Sequence, residues 1–178
     1  MSQMSINPEM MIKDAQQIIT DPASFYKSMP QSGGFPAPLI FAVIMSIVTA
    51  ALLFILAIVN LGDARHMGVS AVGLLIGYPI AMVVGLFIGG AIMWVIWRLM
   101  GSSKDYEVAV RCMAFSTAIL PVLAVASIIP LVGDLASALW GCYLLYIASI
   151  TVHGIAAKTA QIVFGIFAVI GVLGALTA

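Results

Sequence analysis

Charge is what this chain has least of. Lysine and arginine number 7 and aspartate and glutamate 7 in 178 residues, 8% in all, against about 25% in a soluble globular domain. A water-soluble fold is thereby excluded. The net charge is zero and the basic residues are scattered, so there is no footprint for nucleic acid. Histidine and cysteine are equally scarce, two of each. A zinc site needs three or four convergent ligands, and His66 and His153 fall at opposite membrane faces in the topology drawn below, so no metal is expected. Cys112 and Cys142 sit in different apolar runs, and no disulfide is expected between them. Neither a nucleophile elbow nor an HExxH pattern occurs, and no ionisable side chain lies near the middle of an apolar run. The expectation is a protein with no catalytic activity and no cofactor. The first 35 residues also lack the basic, apolar and small-residue succession of a cleaved leader, so the first membrane helix is expected to serve as the targeting signal.

What the chain has in abundance is apolar sequence: 63% hydrophobic residues and a mean hydropathy of +1.17. Five runs are long enough to cross a bilayer at about 20 residues each, over about 38–59, 72–100, 106–129, 135–152 and 160–176. The expected fold class is all-α, a polytopic membrane helical bundle of five transmembrane helices over 36–178 with an N-terminal cytoplasmic amphipathic helix in the segment 1–35. In that segment Asn7, Pro8 and Glu9 read as an N-cap, a first-turn proline and an acid that complements the helix dipole. Met11, Ile12, Ala15, Ile18 and Ile19 then recur on one helical face up to Thr20. Such a helix is expected to lie in the membrane surface or against the bundle. Phe25 and Tyr26 are expected to anchor at the interface.

The second run, Val72–Met100, carries Gly73, Gly77, Ala81, Gly85 and Gly89 at every fourth position. Consecutive members advance about 400° at 3.6 residues per turn, so they form one slowly winding groove in which another helix backbone can lie. The run is therefore expected to be the packing spine, with Gly165, Gly171 and Gly174 serving the last span. Pro79 and Pro121 are expected helix bends, the latter freeing the carbonyl of Thr117. Trp94 and Trp97 are expected in an aromatic belt. Charge concentrates between Arg98 and Arg111. Glu107 and Arg111 stand one turn apart and can pair, and Arg98 and His153 are expected to snorkel to the same level. Arg98, Lys104, Asp105, Glu107, Arg111 and His153 thus form a candidate cytoplasmic surface for a protein or an acidic lipid headgroup. With the N-terminus inside, Lys13, Lys27, Arg98, Lys104, Arg111 and Lys158 all fall on the inner side and only Arg65 outside, which puts the C-terminus outside.

Several stretches carry a family likeness. They are the Gly-led basic turn before Tyr106, the small-polar third span with Pro121, the Ile-Pro-Leu-Val-Gly turn at Ile129–Gly133, Trp140, and His153 followed by Lys158. Upstream, Thr20-Asp21-Pro22 with Phe25-Tyr26, then Met29-Pro30 and Gly33-Gly34, continue the pattern, and Gly77-Tyr78 adds a Gly-Tyr pair. Over about residues 18–160 the chain resembles the Yip1 domain family in its bacterial form. That resemblance implies five membrane helices, a cytoplasmic N-terminus and residence in a bacterial inner membrane. Eukaryotic members of the family resemble traffic adaptors that bind prenylated Rab-type GTPases; the Asp-Leu-Tyr-Gly-Pro motif is absent here, so GTPase binding is not expected. The functional expectation is a non-enzymatic scaffold or adaptor in contact with membrane lipids, self-associating or binding other membrane proteins and influencing membrane organisation or trafficking. The alternative is a channel or carrier with a polar cavity between the second and third spans, lined by Ser116, Thr117 or Ser127.

Overall fold

Helix termini are written locally in this sequence. Asn7 accepts hydrogen bonds from the backbone N–H of Glu9 (3.0 Å) and Met10, and starts α1, Pro8–Thr20. Asp21 ends that helix by donating its N–H to the Gln17 carbonyl (2.7 Å), and its carboxylate accepts the Ser24 N–H (3.2 Å) to open α2, Pro22–Ser28. The computed structural model describes residues 7–61, 71–129 and 131–177, with the side chains of 71 and 72 excepted. The expected turn with Asp63, Arg65 and His66, and Pro130, lie outside the described residues. Among the described residues six further α-helices follow: α3 (Pro36–Ile58), α4 (Ala71–Leu99), α5 (Tyr106–Ser116), α6 (Leu120–Ala126), α7 (Val132–Thr151) and α8 (Ala157–Thr177). Among the described residues the fold is all-helical, with five spans long and apolar enough to cross a membrane: α3, α4, α5 with α6, α7 and α8.

The third span is two helices rather than one bent one. Pro121 has no N–H to offer the Thr117 carbonyl, and the chain tightens into a 3₁₀ turn over 117–119 so that the Leu120 N–H bonds to that carbonyl instead. The Thr117 hydroxyl donates to the Ala114 carbonyl (2.6 Å) and the Ser116 hydroxyl to that of Met113 (2.7 Å). Helix α4, by contrast, runs unbroken through Pro79. It ends at Gly101, whose φ of +98° suits a residue without a side chain, with Ser102 N–H on the Trp97 carbonyl and Gly101 N–H on that of Arg98.

α3 pairs with α4 and α7 with α8, and the divided third span lies between the two pairs. α1 rests on the 117–119 turn and α5, and α2 rests on α7. Of the two placements open to the amphipathic segment, the structure takes the one against the bundle: Ile18, Tyr26 and Met29 share a core with Trp97, Cys112 and Leu144. Phe25 and Tyr26 are therefore not interface anchors. Phe25 packs edge-on against Phe115 at 5.1 Å between centroids, and the Tyr26 hydroxyl donates to the Cys112 carbonyl. Trp97 is likewise no belt residue, being wholly buried.

The packing face of α4 differs from the expected one. Leu74, Leu86, Gly90, Met93 and Trp97 are buried, whereas Gly77, Ala81 and Gly85 are exposed and Gly73 and Gly89 are partly buried. A Cβ added at Gly77 or Gly85 would meet nothing within 4 Å; one at Gly89 would meet the Met113 methyl at 3.3 Å. The close approach falls instead at Gly90, where an added Cβ would stand 2.9 Å from Val110 on α5. The face that packs is thus turned by one residue, about 100°, from the small-residue series. Within the chain, that series is not the packing spine. In the last span Gly171 meets Ala138 closely, while Gly165 and Gly174 face open space. Gly90→Leu should therefore lower stability by roughly 1–3 kcal/mol through overpacking. Gly85→Leu should leave the monomer within about 0.5 kcal/mol of wild type. Thermal unfolding in detergent measures both.

Candidate functional site

The end of the bundle where α4 stops and α5 begins holds a buried polar layer. Its first half is built on Glu107 and Arg111, which α5 places one turn apart. The guanidinium Nε donates to Glu107 Oε1 at 3.0 Å, Nη1 to the Pro30 carbonyl at 3.1 Å and Nη2 to the Gly34 carbonyl at 2.7 Å. Glu107 Oε1 also accepts the Gly34 N–H at 2.8 Å. The connector between α2 and α3 is thereby clamped to α5. Gly33 belongs to the fit, because at φ +110° an added Cβ would sit 3.2 Å from the guanidinium.

The second half is built on His153, just past α7. Its ring stacks on Trp97 at 3.9 Å between centroids, and its Nδ1 shares a 2.8 Å hydrogen bond with the Ser102 hydroxyl. The Ser102 oxygen also accepts the Lys104 N–H (3.2 Å), and the other ring nitrogen, Nε2, stands 4.0 Å from the Cys112 sulfur. Trp97 completes the layer by donating to the Ser149 hydroxyl at 2.7 Å. Burial, reinforced by the positive charge of Lys104, pushes the histidine down from 6.5 to about 4. The imidazole is a neutral internal pin.

Two residues of the expected interaction surface thus turn inward. Arg111 is 3% exposed and His153 6%, because each finds partners on distant chain segments that replace water. What remains outside is Asp105, 89% exposed, and Arg98, which lies 3.9 Å from Asp105 and 5.5 Å above the Trp94 ring; Lys104 is partly buried. An ion pair this exposed contributes little. Sequence reasoning missed Ser102, Ser149, Trp97 and Cys112 as members of the layer. The available signal was the presence of small hydroxyl residues in or beside apolar spans, which need a partner inside the protein.

A cavity of about 240 Å³ opens toward the other end, between α3, α4, α6 and α7. Ser127 lines it, as the alternative reading expected, but Ser116 and Thr117 do not. Among the described residues no group of three metal-ligating side chains converges.

Two outcomes follow from the layer. Replacing Arg111 by Met leaves Glu107 with only the Gly34 N–H and the Pro30 and Gly34 carbonyls without their guanidinium donor, and should cost roughly 1–3 kcal/mol and release the connector, read as faster tryptic cleavage at Lys27. Protonation of His153 works the other way: unfolded, it binds a proton near pH 6.5, and folded only near pH 4. Its contribution is complete above pH 6.5 and is lost as pH falls through that window, by about 3 kcal/mol. His153→Gln should flatten this part of the stability curve in denaturant titrations from pH 7 to pH 4.

Comparison with curated proteins and with solved structures yields no match. A family model described as the Yip1 domain matches residues 17–178, nearly the whole chain. With a match over nearly its whole length, and with five helices long and apolar enough to cross a membrane among the described residues, the chain belongs to the Yip1 domain family.

Proposed function

We propose that this chain is a non-enzymatic multi-pass membrane scaffold or adaptor that joins a second copy of itself, or another membrane protein, through the outer face of α4. The observation that carries this reading is the pair of stripes on that face. Gly77, Ala81 and Gly85 form an exposed groove, and Ile76, Ile80, Val84 and Ile88 form an exposed ridge beside it. A ridge next to a groove is self-complementary. In lipid, close van der Waals approach at small residues supplies much of the association energy that hydrophobic burial supplies in water. The inward turn of Arg111 and His153 leaves little of the charged surface for docking, which favours an interface within the membrane. We place the protein in a bacterial inner membrane, as its resemblance to the bacterial form of the family implies, and its N-terminus in the cytoplasm, on the six-to-one distribution of Lys and Arg.

Solute passage has one supporting observation, the cavity beside Ser127. Flux of small solutes into protein-loaded liposomes would favour it. For the scaffold, cross-linking mass spectrometry from native membranes should recover a homo-oligomer or a defined partner joined near α4. Gly85→Leu should lower that yield roughly tenfold, the effect of about 1.4 kcal/mol of lost packing. A strictly monomeric, partner-free protein would refute the reading.

A further inference from the structure

The cavity between α3, α4, α6 and α7 combines features that the scaffold reading does not use. Its apolar wall is Leu53, Leu120 and Leu123, and its polar groups are Thr49, Tyr78, Ser127, Asp134 and Ser137. Thr49 and Ser127 direct their hydroxyl protons to the carbonyls of Met45 and Ala124, so toward a ligand they can act only as acceptors. The partly buried Tyr78 hydroxyl and the exposed Asp134 carboxylate have no hydrogen-bond or ion-pair partner among the described residues. Among the described residues no lysine or arginine lines the space, and Asp134 is its acidic side chain. A first-turn acid complements the dipole of α7, but that does not account for the unpartnered phenol on a different helix. Gly133 fixes the α7 end of the cavity, because an added Cβ there would stand 2.7 Å from the Ser127 Cα. On α6 and the residues just after it, Val122, Val125, Ile128 and Ile129 expose apolar side chains.

We propose that this cavity binds a primary ammonium group carried on an apolar chain. The ammonium has three donors and no acceptor, which matches a carboxylate and a set of hydroxyl oxygens, and the chain lies on the leucine wall. Asp134 is the charge partner and Tyr78 the orienting acceptor. The amine comes either from a phosphatidylethanolamine headgroup of the surrounding bilayer or from a free alkylamine.

The experiment uses the full chain in phosphatidylcholine nanodiscs. One arm adds phosphatidylethanolamine or phosphatidylglycerol and counts retained lipid by native mass spectrometry. The other adds octylamine or octanol and follows the thermal unfolding temperature. The amine-bearing probe of at least one arm should bind in preference to its amine-free counterpart. Asp134→Asn and Tyr78→Phe should each weaken that binding roughly tenfold, as loss of a charged or buried hydrogen-bond partner does, while Asp105→Asn should not. Binding of phosphatidylethanolamine alone assigns the site to a headgroup, of octylamine alone to a free amine, and of both to the shared ammonium. Equal retention of phosphatidylglycerol with no octylamine effect, no binding in either arm, or binding unchanged in Asp134→Asn would overturn the proposal. Ser137→Ala, at the exposed rim, serves as the second variant should Tyr78→Phe disturb the fold.

Discussion

An arginine at 3% exposure within an apolar helix is tolerable only if the protein supplies what water would have supplied. Arg111 obtains a carboxylate from its own helix and two carbonyls from the α2–α3 connector. That requirement reaches far along the chain. It holds Pro30 and Gly34 beside α5, so that α2 comes down on α7 and α1 on the turn at 117–119. Tyr26 and Ile18 then become part of the central core. The N-terminal segment is built into the bundle because a buried cation needs its backbone.

The same constraint governs the other polar groups. Ser46, Thr49, Ser116, Thr117, Ser127 and Thr151 each turn a hydroxyl onto a carbonyl one turn back along the chain, and Ser149 does so while accepting from Trp97. Among the described residues no buried side-chain nitrogen or oxygen lacks a partner. The polar layer at the α4–α5 end is closed in this sense, held by hydrogen bonds and a Trp–His stack. The cavity toward the other end is open, and Tyr78 and Asp134 there keep unused hydrogen-bonding capacity. The two ends of the bundle are chemically different, one internally satisfied and the other available.

Association through α4 accords with how little of that helix the chain itself covers. Its outer side offers Ile and Val next to Gly and Ala, and lipid solvates both equally well. A second helix gains over lipid only where the small residues let two backbones approach. This ties the scaffold reading to the membrane interior rather than to the charged turn between Arg98 and Arg111.

Composition and run length by themselves determined the class, the five spans and their ends to within a few residues, because a helix that crosses a bilayer must be apolar for a fixed distance. Local chemistry also declared the Asn7 cap, the Asp21 break, the Glu107–Arg111 pair and the disturbance at Pro121, since each depends on residues within one helical turn. Tertiary structure alone decided which face of α4 is inside. Both sides of that helix are apolar, so periodicity carried no sign, and the choice fell to the fit of Gly90 against Val110, 20 positions along the chain. It alone turned Arg111 toward Pro30 and Gly34, and His153 toward Trp97 and Ser102, because those partners lie dozens of residues away. It also assembled the cavity from residues on four helices, a juxtaposition that no local pattern encodes.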